Sequence, residues 1–372
     1  MDRFQRFNSG RAVFFLLATI TVIIGAAVLK ITSSVLLPFT IALLLAIVTS
    51  PLVKFMEKFH IPRIIAVLLV LTFLLGGLGF MGMVLFSSGR ALIPLYPKYE
   101  AKLTDIYIFA ARFFELPYDE HLSFFDNIWG QIGVRNRVRY MTLTFSNSFL
   151  GFLKDAVMVA IFMAFISFEA AMFREKLGRA FEGTSAEKIK RVISDIMTQV
   201  TRYLSVKFVI SVVNGILIGI GLWFVGLEFA AVWGVIQFIV NFIPTIGSIA
   251  VGLAATAFAM IQFWPDIGPT IAVGLIMLIV NVVIGNVFDP KIMGDRLGLS
   301  PLVILVSLLI WSYLWGFAGL ILAVPMTAII KIACENFPML EPISILLGSR
   351  KAVKAAKINE DREGMESGSL PG

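Results

Sequence analysis

Polar side chains stand in the middle of otherwise apolar stretches, and they are the residues best suited to bind a solute or an ion. Gln237 and Asn241 are four residues apart, so a helix would present both amides on one face. Further amide, hydroxyl and carboxylate groups follow along the chain. We predict that a substrate or ion pathway is lined by Gln237, Asn241, Thr245, Ser248, Asn281, Asn286 and Asp289.

Asp289 has two interpretations. On the predicted inner side it is the acid closest to an apolar segment, so its carboxylate could act as a proton or cation switch. It could equally cap a helix, or pair at the membrane interface with Lys291 or Arg296. The sequence leaves both roles open.

Residue types for enzyme chemistry are sparse. The two histidines, His60 and His121, lie far apart in the chain and in no metal-binding spacing. The single cysteine, Cys334, provides no disulfide framework. The sequence also contains no GxxxxGK[ST] phosphate-binding loop. We therefore predict no enzyme activity, no catalytic residues, no metal site and no cofactor.

Composition indicates a membrane protein. Hydrophobic residues make up 58% of the chain and the mean hydropathy is +0.91, whereas soluble domains hold about 45–50% apolar residues. A membrane-spanning helix needs about 20 residues, so we predict an all-α polytopic membrane protein with about eight hydrophobic elements. Single spans are predicted at residues 12–29, 31–53, 64–89, 149–168, 208–227 and 267–288.

Two uncharged runs, 229–265 and 297–330, are too long for one span and slightly short for two. Proline and glycine interrupt both, because proline removes a backbone donor and glycine weakens a helix. We predict two broken helical hairpins with tips at 241–248 and 313–319, and a second break at Pro325. The break and motif residues are Pro244, Gly247, Pro290, Gly294, Pro301, Gly316, Gly319 and Pro325.

Charge predicts the orientation. The net charge is +7, but the basic residues flank apolar runs and form no single stripe, which argues against nucleic-acid binding. Basic residues in short loops mark the cytoplasmic side of a membrane protein. By this rule the segments 54–63, 169–207 and 289–296 are cytoplasmic. Both termini are then cytoplasmic, 90–148 lies outside, and the hairpins enter from opposite faces.

These boundaries divide the chain into parts with different tasks. The transport core, 208–340, carries both hairpins. Within it, the Gly215/Gly219 spacing is typical of close helix packing. The other predicted parts are a three-span bundle (1–89), an extracytoplasmic amphipathic segment (90–148), a fourth span with cytoplasmic helices (149–207) and a partly disordered cytoplasmic tail (341–372).

Three ordered motifs resemble those of the autoinducer-2 exporter (AI-2E) family. They are N-F-I-P-x-x-G at 241–247, P-x-x-x-G-x-x-L-G-L-x-P at 290–301 and G-x-x-G-x-x-x-A-V-P at 316–325. The resemblance implies a multi-pass inner-membrane exporter of small molecules. It implies a furanone-type signal as cargo in some members and sodium- or lithium-for-proton antiport in others. It also implies a homo-oligomer, with a pentamer as one candidate.

The function that these features favour is secondary transport. Paired hairpins that enter from opposite faces are the layout of inverted-repeat transporters, whose sites lie near the midplane. We predict an exporter of a small polar solute, similar to autoinducer-2, through a site between the hairpins. The alternatives are a monovalent cation/proton antiporter and an oligomeric channel or membrane scaffold. The predicted partners are the lipid bilayer, the solute or cation, and further copies of the chain.

Overall fold

The computed structural model describes residues 9–114, 151–170, 172, 176, 184–243, 246–288, 299–335 and 340–348. Within these ranges the chain folds into helices and a π-helical turn at Ile284–Phe288. One isolated antiparallel bridge joins Leu299 to Gly348. The helices are α1 (Ser9–Ile31), α2 (Ser33–Lys58), α3 (Arg63–Phe113), α4 (Gly151–Ala170), α5 (Thr184–Val225), α6 (Ala230–Val240), α7 (Ile246–Phe263), α8 (Ile267–Val283), α9 (Pro301–Glu335) and α10 (Glu341–Leu347).

The predicted class, an all-α polytopic membrane protein, is confirmed. In the described part of the chain, seven helices are long and apolar enough to cross a membrane. Their outer faces expose large apolar side chains, such as Trp223 at 68% and Phe224 at 77%. Water would oppose such extensive apolar exposure, whereas hydrocarbon favours it.

Two helices run well beyond a single span. Helix α3 has 51 residues and continues through Pro94 and Pro97, so residues 90–113 extend the third span directly. Helix α5 has 42 residues and joins the predicted inner helix to the predicted span at 208–227. Charged residues thus end the apolar runs in α3 and α5, while the helices themselves continue past them.

The chain reverses between α6 and α7. Residues seven apart in a straight helix lie roughly 10 Å apart along its axis. Here a Cβ built on Gly247 would lie 2.3 Å from the carbonyl oxygen of Val240, so α7 folds back against α6. The helix is interrupted at Asn241–Ile243, and Pro244 lies outside the described residues.

Helix α9 contains the second reversal. Trp315 and Gly316 leave the helical conformation, and Gly316 has φ 61° and ψ −140°, which glycine adopts readily and other residues do not. A Cβ on Gly319 would lie 1.9 Å from the carbonyl oxygen of Trp311. The two arms of α9 therefore pack against each other as a hairpin.

The predicted break at Pro325 is wrong. The second arm of α9 continues through this proline to Glu335 with helical dihedral angles. Membrane helices tolerate proline where neighbouring groups compensate for the lost hydrogen bond. The packing around this turn is tight, since Pro325 is buried and Ala323 and Ala328 are fully buried.

The predicted glycine contact joins α5 to α6. A Cβ on Gly215 would lie 2.7 Å from the Gly234 carbonyl oxygen, and a Cβ on Gly234 would lie 2.7 Å from the Gly215 carbonyl oxygen. Gly219 lies beside Gly234 in the same contact. Because glycine lacks a side chain, the two backbones touch directly. This approach brings the polar residues of α5 within reach of those on α6.

Candidate transport site

Six uncharged polar side chains form a hydrogen-bonded cluster where α5, α6, α7 and α8 meet. Helix α5 contributes a serine and an asparagine three residues apart, and the asparagine directly precedes the glycine contact with α6. Each of the other helices contributes one or two members. We call this group the amide cluster; its members are Ser211, Asn214, Gln237, Asn241, Ser248 and Asn281.

One half of the amide cluster joins α5 to the end of α6. The side-chain nitrogen of Asn241 donates to the Ser211 hydroxyl at 2.9 Å. The side-chain nitrogen of Asn214 donates to the Asn241 side-chain oxygen at 3.1 Å. All three residues are buried. Asn241 ends α6, so these bonds hold the start of the hairpin tip against α5.

The other half converges on Asn281 of α8. Its side-chain oxygen accepts from Gln237 Nε2 at 2.7 Å and from Asn214 Nδ2 at 3.3 Å. Gln237 Nε2 also lies 3.4 Å from the Ser248 hydroxyl on α7. A single oxygen thus links α5, α6 and α8, and a separation of any one of these helices breaks at least one bond.

Two hydrogen-bond acceptors in the amide cluster are open, in the sense that no described group donates to them. Asn214 is 1% exposed and Gln237 is 0% exposed. Their side-chain oxygens, Oδ1 and Oε1, receive no hydrogen bond from the described residues. A buried polar atom without a partner costs free energy, and most such atoms in proteins are paired. These two oxygens are therefore the groups most ready to bind a ligand.

The remaining predicted pathway residues do not join the amide cluster in the described structure. Asn286 lies in the π-helical turn and is exposed. Thr245 and Asp289 lie outside the described residues, as do Pro290 and Gly294 of the motif. The role of Asp289 stays a prediction. Pro301, by contrast, is the first residue of α9.

Ser211 and Asn214 were not predicted as pathway residues. Their signal is nonetheless present in the sequence, because two polar residues three apart interrupt the apolar run 208–227. Polar side chains inside membrane spans usually face other helices. Their partner could not be identified from the sequence, since it depends on how α5 crosses α6.

The space between the two hairpins is apolar. Ile243, in the first break, packs with Trp311, Leu314 and Trp315 of the second hairpin. Beside this contact lies an open cavity of about 690 Å³, whose lining includes Ile236, Val240, Leu308, Phe317 and Ser312. The amides of Gln237 and Asn241 are bonded instead to α5 and α8, and neither residue lines this cavity. The polar groups thus meet beside the first hairpin and away from the cavity.

A second polar contact fastens the extended part of α3 to both ends of the first hairpin. Lys98 pairs with Glu228, before α6, at 2.5 Å, and Tyr99 donates to the same carboxylate. Lys102 donates to the carbonyl oxygen of Trp264, after α7. We call these contacts the α3 clamp. They tie the base of the hairpin to a helix that belongs to the N-terminal spans.

Charge and burial shift the pKa values in the α3 clamp. Burial alone would raise the pKa of Glu228, but the hydrogen bonds from Lys98 and Tyr99, together with the positive charge of Lys98, lower it below its usual value of 4.5. Burial, followed by the hydrogen bond to Glu228, raises the pKa of Tyr99. Glu228 is therefore ionised and Tyr99 is a neutral donor at neutral pH.

No group of three or more His, Cys, Asp or Glu side chains is placed to hold a metal ion in the part of the chain that the structure describes. The amide cluster itself contains neutral side-chain oxygens, two of them without a donor among the described residues. Carbonyl oxygens suit hard cations, and hydroxyl donors can bind the same atoms.

The sequence profile of the AI-2E family transporters matches residues 15–339. This range includes every residue of the amide cluster and both hairpins. The chain belongs to the AI-2E family. It is accordingly a multi-span membrane protein of a transporter family, and the predicted family resemblance is confirmed.

Named relatives agree with membership of the AI-2E family over almost their full length. A Haemophilus influenzae protein with a provisional name as a transport protein is 30% identical over 90% of this chain and 95% of its own. The AI-2 transport protein TqsA of Escherichia coli is 27% identical over 91% of this chain and 96% of its own. A sodium-lithium/proton antiporter of Halobacillus andaensis is 26% identical over 86% of this chain and 93% of its own.

Proposed function

We propose that this AI-2E family protein is a secondary transporter that exports a small polar solute, similar to autoinducer-2, across the inner membrane. The observation that carries the proposal is the pair of buried, open oxygens on Asn214 and Gln237. A hydroxylated solute supplies the hydrogens that these acceptors need. The name of the Escherichia coli relative TqsA supports a signal molecule of this class as cargo.

The amide cluster is placed at a joint that can open. The first hairpin meets α5 through glycine backbones and α8 through the hydrogen bonds of Asn281. Both open oxygens are sealed from solvent in the present conformation, so a solute reaches them only when the hairpin separates from α5 or α8. We propose that this separation alternates between the two membrane faces, with both termini in the cytoplasm and several copies in one assembly.

A monovalent cation/proton antiporter is the second candidate. Two observations favour it: the open groups are carbonyl oxygens, which bind hard cations, and one relative is named a sodium-lithium/proton antiporter. The members of the amide cluster do not titrate near neutral pH. A proton exchanged for the cation would therefore use another group, for which Asp289 is the sequence-based candidate.

Flux measurements with the full chain in liposomes test this proposal. We expect the Gln237→Leu and Asn241→Ala variants to lower the flux of a furanone-type solute roughly tenfold or more, because each loses a buried polar partner worth about 1–3 kcal/mol. Gln199→Leu is the matched control, because Gln199 is an exposed amide on α5 that lies outside the amide cluster, and its flux should equal that of the parent.

The same vesicles separate the candidate functions. Sodium flux that follows a pH gradient, without solute flux, would favour the antiporter. Unchanged flux of both solute and sodium in the Gln237→Leu variant would remove the amide cluster from the pathway. Thermal unfolding of each variant beside the parent shows whether a lost flux reflects lost folding.

A further inference from the structure

The side-chain orientation of Asn281 is fixed by one backbone carbonyl. Its Nδ2 donates to the carbonyl oxygen of Met277, four residues earlier in α8, at 2.9 Å. If the amide were reversed, Oδ1 would face that carbonyl, and two acceptors would repel each other. Asn281 Oδ1 must therefore point away from Met277 and into the amide cluster. Hydrogen-bond partners are the basis on which such amide orientations are assigned.

This orientation determines that of two further amides. Gln237 Nε2 and Asn214 Nδ2 lie 2.7 Å and 3.3 Å from Asn281 Oδ1, so each must turn its nitrogen toward that oxygen. Gln237 Nε2 also donates to the Ser248 hydroxyl, and Asn214 Nδ2 also donates to the Asn241 side-chain oxygen. Both hydrogens of each nitrogen are therefore used. The oxygens of Gln237 and Asn214 consequently point the other way, and both open positions are acceptors. A reversed network would instead leave open donors, which suit anions.

We propose that Asn281 is a positioning residue that makes the amide cluster accept electropositive groups and reject anions. The inference rests on the proposed transport function and narrows its substrate class. Hydroxyl hydrogens of a neutral solute, or an alkali cation, match two carbonyl oxygens that lack a donor. A carboxylate or phosphate would bring negative charge against them in a buried, weakly polar setting, where repulsion is strong. Asn281 itself need not touch the ligand, because it acts through Gln237 and Asn214.

Three probes test this selectivity in liposomes that contain the full chain. Ribose and ribonate share a carbon skeleton and differ by a carboxylate, and radioactive sodium tests the cation. We expect the parent to move ribose or sodium at least about tenfold faster than ribonate, the discrimination typical of one unsatisfied buried group. Flux of ribose without flux of sodium would identify the ligand as a neutral solute. Flux of sodium without flux of ribose would identify it as a cation.

Two substitutions at Asn281 separate positioning from simple structural support. Asn281→Leu removes the oxygen that orients Gln237 and Asn214, so the preference over ribonate should fall toward one. Asn281→Thr keeps an oxygen acceptor facing both amides, and its hydroxyl can donate to the Met277 carbonyl as Asn281 does, so it should keep the preference. Gln199→Leu, which removes an exposed amide on α5 outside the amide cluster, should match the parent. Because the readout is a ratio of fluxes, a uniform loss of active protein does not change it.

Several outcomes would overturn the inference. Ribonate flux equal to ribose and sodium flux in the parent would do so, as would an unchanged preference in Asn281→Leu. Failure of all three probes to exceed protein-free liposomes would also reject the assigned ligand class. The proposed transport function would survive any of these results if Gln237→Leu still lowered the flux of the furanone-type solute.

Discussion

Individual polar residues were predictable in part. The four-residue spacing of Gln237 and Asn241 indicated one helix face, and the structure places both amides there together with Asn281. Asn214 was missed because its role depends on the crossing of α5 and α6 at Gly215 and Gly234. A single sequence gives the glycine spacing on α5, but it does not say which helix lies against it.

Gly319 gives a prediction at the same scale. Its Cβ would lie 1.9 Å from the Trp311 carbonyl oxygen, a backbone atom that cannot turn aside. We expect Gly319→Ala to reduce the free energy of unfolding by about 1–3 kcal/mol, the usual cost of overpacking. Thermal unfolding in detergent measures this change. Gly25→Ala is the control, since a Cβ there meets nothing within 4 Å; equal stability losses in both variants would contradict the prediction.

At the scale of elements, the positions where helices break could be predicted from the sequence, but the full lengths of the long helices could not. Glycine and proline marked the reversals near Asn241 and Gly316, because those residues alter the backbone itself. The lengths of α3 and α5 were hidden, since charged residues end an apolar run without ending a helix. At Pro325 the sequence predicted a break that the structure does not have. The proline is accommodated within the helix by the surrounding packing.

The α3 clamp predicts a pH dependence of stability. The pKa of Glu228 is lowered in the folded protein, so its stabilising contribution is present above the usual value of 4.5 and is lost as the pH falls below it. We expect Glu228→Gln to be less stable than the parent at pH 7 by about 0.5–1 kcal/mol, as for a partly exposed ion pair. The difference should shrink as the pH falls below 4.5.

Thermal unfolding at pH 7 and pH 3.5 provides this comparison. Asp105→Asn, at an exposed position on α3, serves as the control and should follow the parent at both pH values. A constant difference between Glu228→Gln and the parent across this range would show that the Glu228 carboxylate does not stabilise the folded state through its charge.

For the molecule as a whole, composition was sufficient to predict the class and motifs were sufficient to predict the family. Apolar content beyond that of soluble domains implied spans, and the structure supplies them. The location of the polar groups was harder to predict. They were expected between the hairpins, but that space is lined mostly by apolar side chains, Ile236 and Val240 of α6 among them. The amides of Gln237 and Asn241 point instead toward α5 and α8.

The orientation of the whole chain can be tested with cysteine labelling. Cys334 is the single cysteine and is buried, so Cys334→Ala gives a clean background. We expect Lys58→Cys to resist a membrane-impermeant maleimide in intact cells and to react after lysis, because basic loops face the cytoplasm. Asp105→Cys should react in intact cells. The reverse pattern would invert the topology, and reaction of both would reject it.

The unbroken length of α5 has a mechanical consequence. Forty-two residues of helix extend roughly 63 Å, about twice the thickness of a bilayer's hydrocarbon core. We expect a force on the Thr184 end of this helix to be transmitted along its length to Ser211 and Asn214. A protein or lipid headgroup bound at that end would then shift the α5 side of the amide cluster.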